Sequence, residues 1–385
     1  MKPANAVLSS YGTTIFEVMS RLAVHHGAVN LGQGFPDGNG PDDMRQVAAR
    51  ALEDQPNQYP SMMGVTDLRQ AVAEHNLRFY GLDIDWSTQV MVTSGATEAL
   101  AACLFGLLDT GDEAVVFEPV YDSYIPIIRT AGATARLVRI EPPDWRLDRD
   151  ALAAAFSDRT KLVLLNSPMN PSGKVFSRDE LSAIAEHVVS RDAYAVCDEV
   201  YEHLTFDDYE HVPLMCMPGM AERTVRIGSA GKTFSITGWK VGYTTAGPAV
   251  LGPIAKAHQF INFTTPPNLQ RAVAFGLRKP DDYFTVLRAD LQDKRDRLRA
   301  GLSDIGFGIA ACEGTYFLNA DFSPLGFAGT DEEFCRHITI EAGVAAVPFS
   351  AFYPQPIEST FVRFCFCKED ATLDEAVARL RRHFS

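Results

Sequence analysis

The stretch SAGKTFSITGWKVGY, residues 229–243, is compatible with two different folds, because its lysine fits two kinds of site. Lys232 stands in Gly-Lys-Thr, which is the end of a nucleotide-binding P-loop. It also follows the apolar run 224–228, as a lysine beyond the end of a buried β-strand would. The first alternative predicts a nucleotide phosphate beside Lys232, and the second predicts a ligand at the edge of a sheet.

The P-loop alternative fails on spacing. Its pattern requires a glycine five residues before Gly231, but that position is Arg226, and a loop that begins at Gly228 is too short to surround a phosphate. The acidic strand end at Asp198 precedes Lys232, whereas in P-loop proteins the corresponding strand follows the lysine. No G-x-G-x-x-G follows a predicted strand, so a dinucleotide-binding fold is unsupported as well.

The composition is that of an ordinary globular protein. The chain has 385 residues, 46% of them hydrophobic and 22% charged, which is enough for two domains. A net charge of -14 argues against nucleic acid and anionic membranes as partners. No apolar stretch is long enough for a membrane span, and we expect no membrane association. Seven scattered cysteines indicate reduced thiols in a cytoplasmic protein, and the histidine spacing predicts no metal site.

Short β-rich apolar runs alternate with helical patterns from about residue 90 onward. We predict strands over residues 90–93, 114–117, 135–140, 161–165, 193–197, 224–228 and 241–245. Helical patterns occupy residues 97–108, 123–130 and 178–189 between some of them. This alternation is typical of an α/β fold, with a mostly parallel central sheet flanked by helices.

The C-terminal part has a different pattern, which predicts a smaller α+β domain. A charged helical segment, residues 281–302, precedes GTYFLNADF (314–322), VAAVPFSAF (344–352) and FVRFCFC (361–367), which are typical of antiparallel strands. We therefore place the large domain at residues 46–275. The small domain is predicted to combine residues 1–45 and 276–385.

Polar and aromatic groups follow the ends of the predicted strands. Because ligands gather at the carboxyl ends of parallel strands, we expect these groups to converge. They comprise SGATEAL (94–100) at the start of a helix, Tyr121, Asn170, Asp198, Tyr201, Ser229 and Lys232.

Each of these groups has a use if the ligand is pyridoxal phosphate. Lys232 can form a Schiff base with the cofactor's aldehyde. Asp198 can keep the pyridine nitrogen protonated, so that the ring draws electrons from a carbanion. The remaining contacts would be Asn170 and Tyr201 at the ring oxygen, Tyr121 on the ring face, and the amides of Ala96 and Thr97 at the phosphate.

Several segments resemble the class I aminotransferases of fold type I, which depend on pyridoxal phosphate. The matching segments are SAGKTFSITGWKVGY (229–243), NSPMNPSGKVF (166–176), CDEVYEHL (197–204), FVRFCFCKEDATLDEA (361–376), NLGQGFPD (30–37) and NQYPSMMGVTDLRQAV (57–72). They occur in the family's order along essentially the whole chain. The chain most resembles the subgroup that contains kynurenine/glutamine, methionine and N-succinyldiaminopimelate aminotransferases.

The resemblance implies a role for each matching residue. Lys232 would bind the cofactor and carry the proton, while Asp198 would pair with the pyridine nitrogen. Arg363 would grip the substrate α-carboxylate as a bidentate fork. Tyr59 would reach the phosphate bound by the partner subunit, which makes the active unit a homodimer. The other implied cofactor contacts are Ser94, Gly95, Ala96, Thr97, Tyr121, Asn170, Tyr201, Ser229 and Lys240, and the other implied substrate contacts are Phe16, Gly34 and Asn170.

Two positions depart from patterns common among these relatives. Lys240 stands where many of them have arginine, so it supplies charge without a fork. Tyr121 stands where the subgroup often has phenylalanine, so its hydroxyl makes the surroundings of the ring more polar.

The implied reaction is ping-pong transfer of an amino group from an L-amino acid to a 2-oxo acid. Apolar and aromatic residues at 15–16, 35, 59 and 260–264 favour a large neutral or aromatic donor, such as methionine, glutamine, kynurenine or an aromatic amino acid. Two alternatives use the same residues, namely an N-succinyldiaminopimelate aminotransferase and a cysteine-S-conjugate β-lyase. A ligand-sensing regulator is disfavoured, because only about thirty residues precede NLGQGFPD and the chain is acidic.

Overall fold

The computed structural model describes residues 2–385, and a seven-stranded sheet lies at its centre. The strands are β1 (Val29–Asn30), β2 (Val90–Thr93), β3 (Glu113–Glu118), β4 (Thr134–Arg139), β5 (Thr160–Asn166), β6 (Tyr194–Asp198), β7 (Thr224–Ser229), β8 (Gly242–Ala246), β9 (Gly308–Ile309), β10 (Phe317–Asp321), β11 (Val344–Ala345), β12 (Val347–Pro348) and β13 (Phe361–Cys365). The α-helices are α1 (Ile15–His26), α2 (Asp42–Asp54), α3 (Thr66–Tyr80), α4 (Trp86–Gln89), α5 (Gly95–Leu107), α6 (Tyr124–Thr130), α7 (Arg149–Ala155), α8 (Arg178–Ser190), α9 (Ala230–Thr233), α10 (Pro248–Ile261), α11 (Pro267–Leu277), α12 (Asp281–Ile305), α13 (Asp331–His337) and α14 (Asp370–Phe384).

The central sheet has the order β2-β8-β7-β6-β5-β3-β4, and only β8 runs against its neighbours. This arrangement confirms the predicted α/β class with a mostly parallel sheet. Helices α5 and α10 cover one face, and α7 and α8 cover the other. Strands buried on both faces must be apolar along their length, which explains why β2 and β3 have no exposed residue.

A second, antiparallel sheet has the order β12-β13-β10-β9, and GTYFLNADF and FVRFCFC contribute β10 and β13 to it as predicted. The prediction of an antiparallel strand over residues 344–352 is wrong for most of that segment, because β11 pairs in parallel with β1, only Val347–Pro348 joins the antiparallel sheet, and Phe349–Phe352 forms a 3₁₀-helix. Helices α12 and α14 pack on this sheet. Strand β1 pairs in parallel with β11, so N-terminal residues join the C-terminal part of the chain. The domain limits at residues 46–275, and at 1–45 with 276–385, stay a prediction.

The carboxyl ends of β5, β6 and β7 face the first turn of α5 and one residue of β13, Arg363. Helix α5 begins directly beyond β2, and β8 passes close beneath its first turn. A Cβ atom at Gly242 of β8 would lie 2.7 Å from the carbonyl carbon of Gly95 and 2.9 Å from the nitrogen of Ala96. Only glycine permits this approach. Among residues 2–385, no helix is both long and apolar enough to cross a membrane.

Candidate active site

A cavity of about 410 Å³ lies at this meeting point of the two sheets. Its walls include most of the residues that the sequence singled out. Those that line it are Phe16, Gly34, Gly95, Ala96, Thr97, Tyr121, Asn170, Asp198, Tyr201, Ser229, Lys232, Lys240 and Arg363.

Two residues predicted to bind the cofactor do not line the cavity. The hydroxyl of Ser94 accepts a hydrogen bond from Asn262 at 2.6 Å, and the Ser94 amide donates to Glu98 at 3.0 Å. Tyr59 is 83% exposed, and its ring packs edge-on against Phe263 at 5.5 Å. The Ser94 side chain is therefore engaged elsewhere, and the Tyr59 side chain is exposed outside the cavity of its own chain.

The amine of Lys232 is buried in the cavity wall. Lys232 lies in the short helix α9, which follows β7 directly. Its Nζ donates a hydrogen bond to the hydroxyl of Tyr316 at 2.7 Å, and this hydroxyl in turn donates to the Gly34 carbonyl at 2.7 Å. Burial lowers the pKa of Lys232 below the usual lysine value, although Asp198 opposes the shift. A larger fraction of the amine is therefore neutral than in a solvated lysine.

The carboxylate of Asp198 is buried where β6 ends. Burial raises its pKa to about 6, and two hydrogen bonds limit that rise. The Tyr124 hydroxyl donates to Oδ2 at 2.6 Å, and the Val200 amide donates to Oδ1 at 3.4 Å. Among residues 2–385, no lysine or arginine forms an ion pair with Asp198. The site therefore suits a cationic N–H donor from a ligand.

Two asparagines connect Asp198 to the opposite wall. Asn166 donates from Nδ2 to the Asp198 carbonyl at 2.8 Å, and its Oδ1 accepts from the Asn170 amide at 2.7 Å. The Asn170 Oδ1 then accepts from Nη1 of Arg363 at 2.8 Å. This chain of bonds fixes the direction of the guanidinium.

Arg363 is 2% exposed, and only two of its five N–H donors have a partner among residues 2–385. Its Nη2 donates to the Gly32 carbonyl at 3.1 Å, whereas its buried Nε has no partner among residues 2–385. The rings of Phe317, Phe352 and Phe16 surround it, with centroids 3.9, 4.7 and 5.3 Å from Cζ. Burial lowers its pKa to about 10, so the group stays cationic at neutral pH. A buried cation with a free donor calls for an anionic ligand.

The first turn of α5 forms an anion-binding end of the cavity. The Ser94 side chain makes no capping bond, so the first amides of the helix are left for a ligand. Lys240 adopts a left-handed backbone with φ 52°, and its amine extends over Gly95. Free amides and a cation at a helix N-terminus favour a phosphate group.

The sequence family is shown by direct comparison. The family described as aminotransferase class I and II matches residues 27–380. The chain belongs to this family. The aminotransferase is 45% identical over 384 residues to a protein of Mycobacterium tuberculosis named probable N-succinyldiaminopimelate aminotransferase DapC, covering 97% of this chain and 96% of that one. It is 40% identical over 375 residues to the methionine aminotransferase of Escherichia coli, covering 97% of each.

Solved structures agree with this assignment. The aminotransferase superimposes on the N-succinyldiaminopimelate aminotransferase of Mycobacterium tuberculosis with a TM-score of 0.96, at 45% identity over 99% of this chain and 100% of that one. The TM-score is also 0.96 for the Escherichia coli protein YbdL, whose structure is described as identifying a methionine aminotransferase function, at 40% identity with the same coverage.

Class I aminotransferases use pyridoxal phosphate, and the cavity of this chain fits that cofactor. Lys232 offers a buried amine for its aldehyde, and Asp198 offers a carboxylate without a cationic partner for its ring nitrogen. The uncapped first turn of α5, with Lys240 above it, offers a place for its phosphate. Tyr121 lines the cavity wall, and its ring packs edge-on against Tyr124 with ring centroids 5.6 Å apart.

Three polar residues of the site were not predicted as site residues. Asn166 stands at the carboxyl end of β5, so the rule that located Asp198 applies to it as well. In the sequence, Tyr124 is typical of an aromatic residue that packs in the core. Its role in the site is visible only in the structure, where its hydroxyl donates a 2.6 Å hydrogen bond to Asp198. Tyr316 lies beside β10 in the other sheet, where no sequence signal points toward Lys232.

Proposed function

We propose that this aminotransferase moves an amino group from an L-amino acid with a large neutral or aromatic side chain to a 2-oxo acid. The observation that carries the proposal is one cavity that holds both a buried amine, Lys232, and a buried guanidinium with a free donor, Arg363. Bound pyridoxal phosphate would supply an acceptor for the electrons left on the substrate's α-carbon when its proton is removed.

Lys232 would accept the α-proton at Nζ and, within the same half-reaction, would deliver it to the carbon that carried the cofactor's aldehyde, so that water can release the 2-oxo acid. Accepting a proton requires a neutral amine. Burial lowers the pKa of Lys232 and so increases the neutral fraction of its amine. The Tyr316 hydroxyl, which accepts from Nζ at 2.7 Å, would hold the amine in one place. Its second bond, to the Gly34 carbonyl, connects this position to the loop that also bonds Arg363 through Gly32.

Arg363 would orient the substrate through its α-carboxylate. The bonds to Asn170 and Gly32 hold the guanidinium plane and use one N–H each of Nη1 and Nη2, so the second N–H of each nitrogen would be left to donate to the carboxylate. Charge-assisted bonds of this kind are worth about 1.5–3 kcal/mol each, so they select strongly for a carboxylate. Asp198, held by the Tyr124 hydroxyl, would keep its charge against the cofactor ring nitrogen.

The nature of the cavity wall supports a neutral substrate side chain. Phe16, Phe35 and Phe317 line it, and its lysines and arginines among the described residues are Lys232, Lys240 and Arg363. Each of these cations already has a proposed use. An N-succinyldiaminopimelate substrate, which is favoured by the 45% identity to the protein named for it, carries further carboxylates that would need additional donors.

We also propose that the working enzyme is a homodimer in the cytoplasm. Tyr59 and Phe260 are 83% and 81% exposed, and Ile261 and Phe263 beside them are exposed too. Such a cluster of apolar side chains is typical of an interface, where Tyr59 would reach the partner's cofactor phosphate. All seven cysteines are free thiols, which suits a reducing compartment.

Initial rates with a panel of amino acids and one 2-oxo acid test the proposal. We expect methionine, glutamine, phenylalanine or kynurenine to be preferred to N-succinyldiaminopimelate, with equal amounts of product from both half-reactions. Arg363→Lys should lower kcat/KM at least about 100-fold for every donor, because the fork is lost. Arg336→Lys, at an exposed pair with Glu332, is the matched control. Preference for the succinylated donor, or pyruvate release without an acceptor, contradicts the proposed reaction.

A further inference from the structure

Three potential metal ligands meet outside the candidate active site. His75 lies on α3, while Glu202 and His203 lie in the turn that follows β6. Their donor atoms all lie within 4.8 Å of one another. The Nε2 atoms of the two histidines are 2.9 Å apart, and Oε1 of Glu202 is 3.9 Å from Nε2 of His75.

These separations are those of the ligands of one small cation. The third separation is no longer than 4.8 Å. Zinc binds histidine nitrogen at about 2.0–2.1 Å and carboxylate oxygen at about 2.0–2.2 Å. In a tetrahedral site these bond lengths place neighbouring donor atoms about 3.3 Å apart, so the two histidine nitrogens must separate by about 0.4 Å and Oε1 of Glu202 must approach Nε2 of His75 by about 0.6 Å.

The two imidazoles lie in an apolar environment. His75 is buried and His203 is half-buried. The rings of Phe79 and Phe284 pack against them, with centroid distances between 4.4 and 5.6 Å. An apolar shell of this kind limits the access of water to a bound ion.

The charged groups around His75, Glu202 and His203 are also compatible with a bound cation. Two buried carboxylates, Glu199 and Glu202, share one guanidinium, Arg226, at 2.6 and 3.0 Å. His211 contacts Glu199 at 3.1 Å, so it does not face the cluster's free oxygen. That oxygen, Oε1 of Glu202, accepts a long bond of 3.3 Å from the Tyr243 hydroxyl. A bound cation would contact Oε1 of Glu202, because Arg226 pairs with the other oxygen, Oε2.

We propose that His75, Glu202 and His203 form a binding site for a divalent transition-metal ion of the zinc class. Water would complete the tetrahedron. The ion would tie α3 to the turn that begins beyond Asp198 and contains Tyr201, and so stiffen one wall of the cavity. The ligands come from two distant segments, which is why no histidine spacing in the sequence indicates them.

Cobalt titration of protein freed of metal with a chelator tests the site, because tetrahedral Co²⁺ absorbs strongly in the visible range. We expect one Co²⁺ per chain, displaced by one equivalent of Zn²⁺, with a rise in Tm on adding either ion. His203→Gln should abolish the absorption. The matched control is His337→Gln, because His337 also lies 2.9 Å from a second histidine, His383, but has no carboxylate in the group.

Two results would overturn the site. The first is a wild-type titration without visible absorption or change in Tm at millimolar Co²⁺, which stands whether or not any variant folds. The second is absorption that persists in folded His203→Gln, as judged by circular dichroism. Neither readout involves amino transfer, so failure of this site and failure of the proposed function are separate results.

Discussion

Asp198 shows at the scale of one residue how a functional group can oppose folding. Its carboxylate is largely buried in the cavity wall, and burial raises its pKa to about 6 from the 3.8 of a free aspartate. Folding the charged form therefore requires free energy. The Tyr124 hydroxyl recovers part of this free energy through its 2.6 Å hydrogen bond. A ligand that brings a positive charge would recover more.

Removing the charge should stabilise the cofactor-free protein. We expect Asp198→Asn to raise the free energy of unfolding by about 3 kcal/mol at pH 7.5. Because the folded pKa is the raised one, the penalty is fully present above about pH 6, shrinks as the pH falls through 6, and disappears below 3.8. Urea unfolding at pH 7.5 and pH 4.5 measures the difference, with the exposed Asp208→Asn as control. An equal gain at both pH values contradicts the explanation.

Tyr316 should act on Lys232 through its hydroxyl. In Tyr316→Phe the ammonium form loses an acceptor at 2.7 Å, so the pKa of Lys232 should fall further. The pH dependence of Lys232 labelling by an amine reagent, read by peptide mass spectrometry on cofactor-free protein, measures this shift. Tyr353→Phe removes a partly buried hydroxyl near Arg139 and should leave the pKa unchanged. A pKa that stays constant in Tyr316→Phe shows that the tyrosine only packs there.

The residues predicted from the sequence are those that stand at a strand end or in a motif, such as Lys232, Asp198 and Arg363. The residues that were missed act through partners that are remote along the chain. Tyr124 and Tyr316 resemble packing aromatics until their hydroxyl partners are known. The sequence pattern predicts where a strand ends, but it does not predict which hydroxyl crosses the cavity.

At the scale of elements, the phosphate end depends on the contact between α5 and β8. The first turn of α5 is uncapped, and β8 passes directly beneath it at Gly242. The predicted strands of the central sheet match the observed ones within one residue at each end, because its inner strands are continuous apolar runs buried on both faces. The antiparallel direction of β8 and the two-residue pairing of β1 with β11 have no such signal, since both depend on long-range packing.

A side chain at Gly242 should displace the start of α5. In Gly242→Ala the new Cβ would lie 2.7 Å from Gly95 and 2.9 Å from Ala96, so the helix must shift. We expect the Kd for pyridoxal phosphate to rise at least about tenfold and the free energy of unfolding to fall by about 1–3 kcal/mol. Absorbance titration and urea unfolding measure the two effects. Gly238→Ala, where no atom lies within 4 Å of the new Cβ, should change neither. Unchanged cofactor affinity in Gly242→Ala excludes the role of this contact.

At the scale of the whole molecule, the exposed apolar cluster around Tyr59 and Phe260 is the feature that a single chain leaves unexplained. Tyr59 does not line the cavity of its own chain, although the family resemblance implies a phosphate contact for it. A dimer would bury the cluster and bring Tyr59 to the partner's cavity. The assembly cannot be predicted from strand and helix patterns, because these reflect the interior of one chain.

A charge in this cluster should separate the subunits. We expect Phe260→Asp to weaken dimerisation roughly 100-fold, because a carboxylate replaces a ring that is 81% exposed in the single chain. Sedimentation equilibrium of wild type and variant measures the change. Val286→Asp, which alters an exposed residue of α12, should leave the assembly intact. A wild-type protein that is monomeric at micromolar concentration excludes the shared site.

The most direct test of the central claim is the visible absorption spectrum of the protein supplied with pyridoxal phosphate, before and after adding single amino acids without an acceptor. The wild type should be yellow, and its best donors should bleach the band while releasing one equivalent of 2-oxo acid per chain. Lys232→Ala should lack the lysine-dependent band and release no 2-oxo acid. A colourless wild-type protein, or a Lys232→Ala variant with the wild-type spectrum and reaction, contradicts the assignment of Lys232 and the function built on it.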